Sequence, residues 1–140
     1  WPLENYIEIC KYLNLKGYII VLYLGPQERE YLSVFKNEFK TAIFLEEEKL
    51  LNNFNNIEII MASTKFLKFA ISNDSGVSHM LSTNHCPLIK LFGPKDSKKF
   101  TPKMEKLITI SASEINSDKI DDIKLSRVID CIESHRVLNV

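Results

Sequence analysis

Ile71-Ser72-Asn73-Asp74-Ser75-Gly76-Val77-Ser78-His79 decides the fold, because it reads as an apolar strand entering a helix through an acidic, hydroxyl and glycine turn. At such junctions α/β proteins bind phosphorylated ligands. The first amides of a helix have no intrahelical partner, and the macrodipole leaves about half a positive charge there, so a phosphate satisfies both. At about 100° per residue, Ser75, Ser78, His79 and Ser82 fall on one side of the helix and Val77, Met80 and Leu81 on the other. The first side is expected to meet a ligand and the second to join the core.

Helices and strands alternate on both sides of that stretch. Leu3, Tyr6, Ile7, Cys10 and Leu13 recur at helical spacing after Pro2, and Gly17 closes the pattern as a C-terminal cap. Tyr18 to Leu24 is almost continuously apolar and β-branched, the pattern of a strand covered on both faces, and Gly25-Pro26 ends it. Glu28 to Phe39 is predicted to be a helix, Ala42 to Leu45 a short strand, Leu50 to Asn56 an exposed polar connector and Ile57 to Ser63 a short helix. Phe66 to Ser72 is the predicted strand before the opening motif. Pro87 to Phe92 is the next, stopped by Gly93-Pro94, and Lys106 to Ile110 the last. Leu125, Val128, Ile129 and Ile132 mark a closing helix. Alternation of this kind implies an α/β fold with a doubly wound, Rossmann-like parallel sheet, since each parallel crossover needs a covering helix.

In such sheets ligands sit outside the carboxyl ends of the strands. Three loops are expected there: Gly25-Pro26-Gln27-Glu28, Asn73 to Gly76, and Gly93-Pro94-Lys95-Asp96. Converging, they supply a ribose-binding carboxylate, a phosphate-binding turn and a lid.

The 140 residues fit one domain, 1–140, and 18 basic against 18 acidic side chains leave no overall field to attract nucleic acid. The apolar runs are too short to span a bilayer, and no charged segment with an apolar core opens the chain. Cys10, Cys86 and Cys131 are widely spaced without a CxxC pair, which suggests neither a disulfide framework nor zinc. Reduced thiols point to the cytoplasm. Trp1-Pro2 carries no initiator methionine, so the chain is expected to be a piece of something longer.

The motifs resemble the carboxyl-terminal half of glycosyltransferase family 9, the ADP-heptose:lipopolysaccharide heptosyltransferases. Trp1-Pro2-Leu3-Glu4-Asn5-Tyr6 is similar to the family's tryptophan-proline opening, and Gly25-Pro26-Gln27-Glu28 to its glycine-proline-x-glutamate turn. Asp74-Ser75-Gly76-Val77-Ser78-His79 resembles its aspartate-serine/threonine-glycine-x-x-histidine signature, and Cys86-Pro87 with Leu91-Phe92-Gly93-Pro94 the segment after it. The resemblance implies one half of a two-domain GT-B enzyme that inverts the anomeric centre without a metal or other cofactor. This half would bind the nucleotide-sugar donor, ADP-heptose by the match. Acceptor and catalytic base would belong to an amino-terminal domain, so no catalytic residue is expected in this chain, and the piece alone is expected to bind without turning over. By the same match Asp74, Ser75, Gly76 and His79 would face the diphosphate and Glu28 the ribose. Met61, Ala62 and Leu91 are candidate contacts for the adenine, with Gly93 and Pro94 as further site residues. The acceptor would be a lipopolysaccharide core or related glycan, reached from the cytoplasmic face of the inner membrane.

Plainer readings exist for each residue. Asp74 and Ser75 suit a simple helix cap, and Glu28 a first-turn acid. A nucleophilic Ser75 assisted by His79 lacks the glycine-x-serine-x-glycine elbow. His79, His85 and Cys86 lack metal-ligand spacing. Lys95, Lys98, Lys99 and Lys103 suit a solvated loop. A non-catalytic nucleotide-binding or interaction module of the same fold is the alternative function. A receiver phosphorylated on Asp74 is disfavoured, because Gly25-Pro26 stands where an acidic pair belongs. A dinucleotide dehydrogenase is disfavoured by the missing G-x-G-x-x-G.

Overall fold

A computed structural model of the chain describes residues 1–48, 51–94 and 106–134. The basic run Lys95 to Lys103 and the Lys95-Asp96 part of the third loop lie outside the described residues. Helix α1 (Leu3–Leu15) buries Ile9, Cys10 and Leu13. It ends as expected at Gly17, where φ is +86°. The Gly17 amide reaches Asn14 O at 3.0 Å and the Tyr18 amide reaches Leu13 O at 3.0 Å, the paired bonds of a glycine-closed helix end.

Three parallel strands form the sheet in the order β1 (Ala70–Asn73), β2 (Leu88–Phe92), β3 (Leu107–Ser111). Ser72 aligns with Lys90 and Lys90 with Thr109. The expected strand from Phe66 starts four residues later. Thr64–Phe66 is a single 3₁₀ turn with Phe66 88% exposed, and the ladder opens where the Ala70 amide donates to Pro87 O at 2.8 Å. Pro87 has no amide with which to continue the pairing below that point.

The Tyr18 to Leu24 run departs further from expectation. It is extended, but among the described residues its ladder is one parallel bridge, Val21 to Ile43, with Leu22 N–H on Ile43 O at 3.0 Å and Ile43 N–H on Ile20 O at 2.8 Å. Ile20 is buried while Ile19 is 71% exposed. An apolar run reports a tendency to burial, not the number of ladder bonds made, and here the two separate. The predicted helix from Glu28 divides into a 3₁₀ turn, Arg29–Tyr31, and α2 (Leu32–Glu38). Helix α3 (Asn56–Ser63) is fixed at its start by a reciprocal cap: Glu58 N–H donates to Asn55 Oδ1 at 2.9 Å and Asn55 N–H to Glu58 Oε2 at 3.0 Å. Helix α4 (Gly76–Leu81) comes after β1 in the chain and helix α5 (Leu125–Ser134) after β3.

Helices cover both faces of the sheet, which makes it doubly wound. On one face Ile89, Leu91 and Ile110 pack in a single cluster with Ile9, Cys10 and Leu13 of α1 and Val128, Cys131 and Ile132 of α5. On the other, Leu88 meets Ile60 of α3 and Leu81 of α4 in a smaller cluster. The first face is also tied at its rim, where the Trp1 indole N–H donates to Ile123 O at 2.8 Å, the Tyr12 hydroxyl bonds Glu133, and Lys16 pairs with Glu133 at 3.1 Å.

Candidate functional site

β1 ends at Asn73, and the next residues build the turn that opens α4. The backbone ladder extends one step past the strand, with Asp74 N–H on Leu91 O at 3.0 Å. Because side chains alternate along a strand, Asn73 faces the α1 side and Asp74 the α4 side. Asn73 Oδ1 accepts from the Tyr6 hydroxyl at 2.8 Å, which fixes the turn to α1. Burial pushes the Tyr6 phenol far above its ordinary range, opposed by the bond to Asn73 and reinforced by the nearby Cys10 and Glu28. Tyr6 is therefore a neutral donor at any physiological pH.

Asp74 carries an interaction that sequence reading missed. Lys90, in the middle of β2 and only 1% exposed, sets its Nζ 2.7 Å from Asp74 Oδ1, and the Asp74 side chain is 10% exposed. The ammonium also lies 4.9 Å from the centre of the Phe92 ring. At an effective dielectric of about 20, two unit charges at this distance attract by roughly 6 kcal/mol. Desolvating both ions costs several kcal/mol each, so the pair adds little net stability. The signal available in the sequence was a lysine in an otherwise apolar strand, three residues before the glycine-proline stop.

Ser75 precedes α4 in extended conformation, with its side chain exposed. Its amide donates to Ser78 Oγ at 3.3 Å, and Ser78 Oγ donates to Ser75 O at 2.7 Å. Ser78 is thus buried against the turn rather than on the open face to which helical phase assigned it. The reason is that α4 is one and a half turns long and its hydroxyl serves the helix start. The first-turn amides of Gly76 and Val77 have no carbonyl one turn earlier in the helix. Gly76 does not have positive φ, and a Cβ built there meets no heavy atom within 4 Å. Neither backbone strain nor packing therefore demands glycine at this position. His79, exposed, follows one turn later on the same helix.

Glu28 lies at a tight turn, its amide on Gly25 O at 3.0 Å. It does not cap the helix that follows. The carboxylate folds back over Gly25, so that a Cβ there would stand 2.5 Å from Glu28 Oε2. Its charge bears on Tyr6, and through Tyr6 the Glu28 turn and the Asp74 turn are neighbours at one edge of the molecule. Next to Glu28 is a shallow cleft lined by Leu22, Leu24, Leu32 and Phe44, with Glu46, Glu47 and Arg29 on its rim. Arg29 reaches Glu46 at 3.6 Å and Glu47 at 3.7 Å, and burial raises the Glu46 carboxyl against that pairing. Sequence reading did not find this cleft, although Leu22 and Leu24 two apart, followed by Phe44 and an acidic pair, were its signature.

Other expected contacts are placed elsewhere. Leu91 is fully buried in the α1-side core and cannot reach a ligand. Met61 and Ala62 sit in the last turn of α3, where Asn84, beyond the end of α4, donates to Met61 O at 3.0 Å. They are thus at the opposite end of α4 from Asp74. Gly93 lies at the carboxyl end of β2, where an added Cβ would meet Ile120 at 3.4 Å, an ordinary van der Waals contact; Pro94 beside it is exposed. All three cysteines are buried, and burial pushes the thiols of Cys10 and Cys86 up to about 12 and about 11, far from the thiolate a nucleophile requires. Among the described residues no three metal-ligating side chains come together, and no helix is long and apolar enough to cross a membrane.

A parallel sheet with helices on both faces and an acidic turn beyond a strand's carboxyl end is the architecture of α/β domains that take their ligands at that edge. Residues 1–127 match the family model described as glycosyltransferase family 9 (heptosyltransferase). Lipopolysaccharide heptosyltransferase 2 of Escherichia coli K12 is 30% identical over 110 residues, covering 74% of this chain and 29% of that protein. The enzyme of the same name from Salmonella typhimurium is 30% identical over 107 residues, with the same coverage. Among solved structures, the glycosyl transferase family 9 protein of Veillonella parvula DSM 2008 superposes with a TM-score of 0.79 at 21% identity, over 99% of this chain and 42% of that one. E. coli heptosyltransferase WaaC with ADP gives 0.73 at 22% identity, over 95% and 39%. The chain belongs to glycosyltransferase family 9, and its fold is that of one half of a GT-B glycosyltransferase. It spans less than a third of the length of the curated relatives it matches.

Proposed function

We propose that this chain is the donor-binding half of an inverting glycosyltransferase that moves a sugar from a nucleotide-sugar, ADP-heptose in the first instance, to a lipopolysaccharide core or related glycan. Membership of the heptosyltransferase family supports the reaction class, and one solved relative carries ADP. The observation that carries the site is Gly76, a glycine with open space above it and no local reason to be glycine, one residue beyond the Asp74-Ser75 turn. A diphosphate can approach that backbone closely and take the first-turn amides of Gly76 and Val77, with His79 one turn further on. Glu28 accepts the ribose hydroxyls. The cleft of Leu22, Leu24 and Phe44 beside it takes the base, in place of Met61 and Ala62.

The chemistry needs no metal or other cofactor. Departure of the diphosphate builds negative charge, and donors aimed where that charge develops stabilise the transition state more than the ground state. The base that deprotonates the acceptor belongs to another domain, so this half alone binds without turnover, at the cytoplasmic face of the membrane that holds the acceptor. Titrating ADP while recording amide resonances tests the reading. Shifts are expected first at Asp74 to Val77 and around Glu28; unchanged spectra at millimolar ADP would sink it.

A further inference from the structure

We propose that Lys90 is a positioning residue of the donor-phosphate site: it holds the Asp74 carboxylate and cancels its charge, so that the Asp74 to Gly76 turn can receive a nucleoside diphosphate. The inference rests on the donor-binding reading above. Register places it there. Ser72 aligns with Lys90, so Asp74, two residues on, shares Lys90's face of the sheet, and the two charges meet at 2.7 Å. At 1% exposure the ammonium is closed off from a ligand and acts through the groups it holds, Asp74 among them. Asp74 stands at the boundary, 10% exposed, beside the exposed Ser75 and Gly76.

The turn is thereby held from three directions. Leu91 O fixes the Asp74 amide, Tyr6 fixes Asn73 from the α1 side, and Lys90 fixes the Asp74 side chain from the α4 side. Removing the Lys90 charge would leave the Asp74 carboxylate more negative towards an arriving diphosphate, across a few ångströms of low-dielectric protein. Since attraction and desolvation nearly cancel in a buried pair, holding the turn and neutralising it explain a charge in β2 better than stability does.

Calorimetric titration of the intact protein with ADP, and separately with adenosine, distinguishes phosphate effects from loss of fold. Lys90→Met should weaken ADP about tenfold or more while changing adenosine less than about twofold, and Lys90→Arg should recover most of the loss. Asp74→Asn combined with Lys90→Met removes both charges and should bind ADP more tightly than Lys90→Met alone, because the repulsion is gone although the hold on the turn is lost. Equal weakening of ADP and adenosine by Lys90→Met, or no recovery in the double variant, overturns the role of Lys90 and leaves the donor-binding reading standing. A parent protein that binds neither compound overturns both. If Lys90→Met does not fold, the comparison passes to Asp74→Asn, which should bind ADP at least as tightly as the double variant; weaker binding overturns the proposal.

Discussion

Gly17 is the glycine its backbone demands, with a positive φ. A Cβ at Gly25 would meet only the carboxylate end of the Glu28 side chain, and one at Gly93 would make an ordinary contact with Ile120. Gly76 has no such constraint. Gly76→Ala should therefore leave the fold intact or stabilise it by about 0.5–1 kcal/mol, since alanine suits the first turn of a helix better than glycine. The same methyl group enters the space assigned to the diphosphate, and ADP affinity should fall about tenfold or more. Thermal unfolding and calorimetric titration of one variant check both outcomes. The turn at Asp74-Ser75-Gly76 and the helix that carries His79 were legible as structure, because turn chemistry and helical phase are local properties. Lys90 was not, because its partner lies 16 positions away and its role depends on the strand register. Ser78 was misplaced for a related reason: phase gives a direction around the axis, but not which polar group a short helix spends on its own end.

Local signals defined the helices best where an end carried a cap. α1 closes at Gly17 as its sequence pattern predicts, through the two bonds from Gly17 and Tyr18. Gly17→Ala forces a Cβ into the left-handed region and should cost about 1 kcal/mol, read as a lower unfolding midpoint with ADP affinity unchanged. The strands were legible as positions in the chain and less so as pairings. The strand expected over Pro87 to Phe92 forms from Leu88, because Gly93-Pro94 stops it and Pro87 has no amide to pair, and its five buried residues suit the central place it takes in the sheet. Tyr18 to Leu24, equally apolar, makes one bridge, because hydrogen-bond partners are supplied by remote segments that composition does not describe. The Asn55–Glu58 cap was hidden in a stretch read only as a polar connector.

At the scale of the molecule, alternation of apolar segments was enough to anticipate a parallel, doubly wound sheet. It did not reveal that Tyr6 ties α1 to the turn after β1, nor that a cleft opens between Leu22 and Phe44. If that edge binds the donor, ADP at about 100 times its dissociation constant should stabilise the folded chain by about 2.7 kcal/mol, raising the unfolding midpoint by several degrees. A scan with and without ADP checks this, and an unmoved midpoint at saturating ADP contradicts it. The tie between the two ends of the described chain has a consequence for biosynthesis. Trp1 bonds Ile123 across 122 positions, and α1 and α5 share one core cluster. At about 5–20 residues per second, α1 leaves the ribosome roughly ten seconds before the helix that will cover Ile9 and Leu13 exists. Until then the stripe has only the earlier members of its cluster, Ile20, Phe35 and Phe39 first, so this side of the core closes last, when α5 has been made.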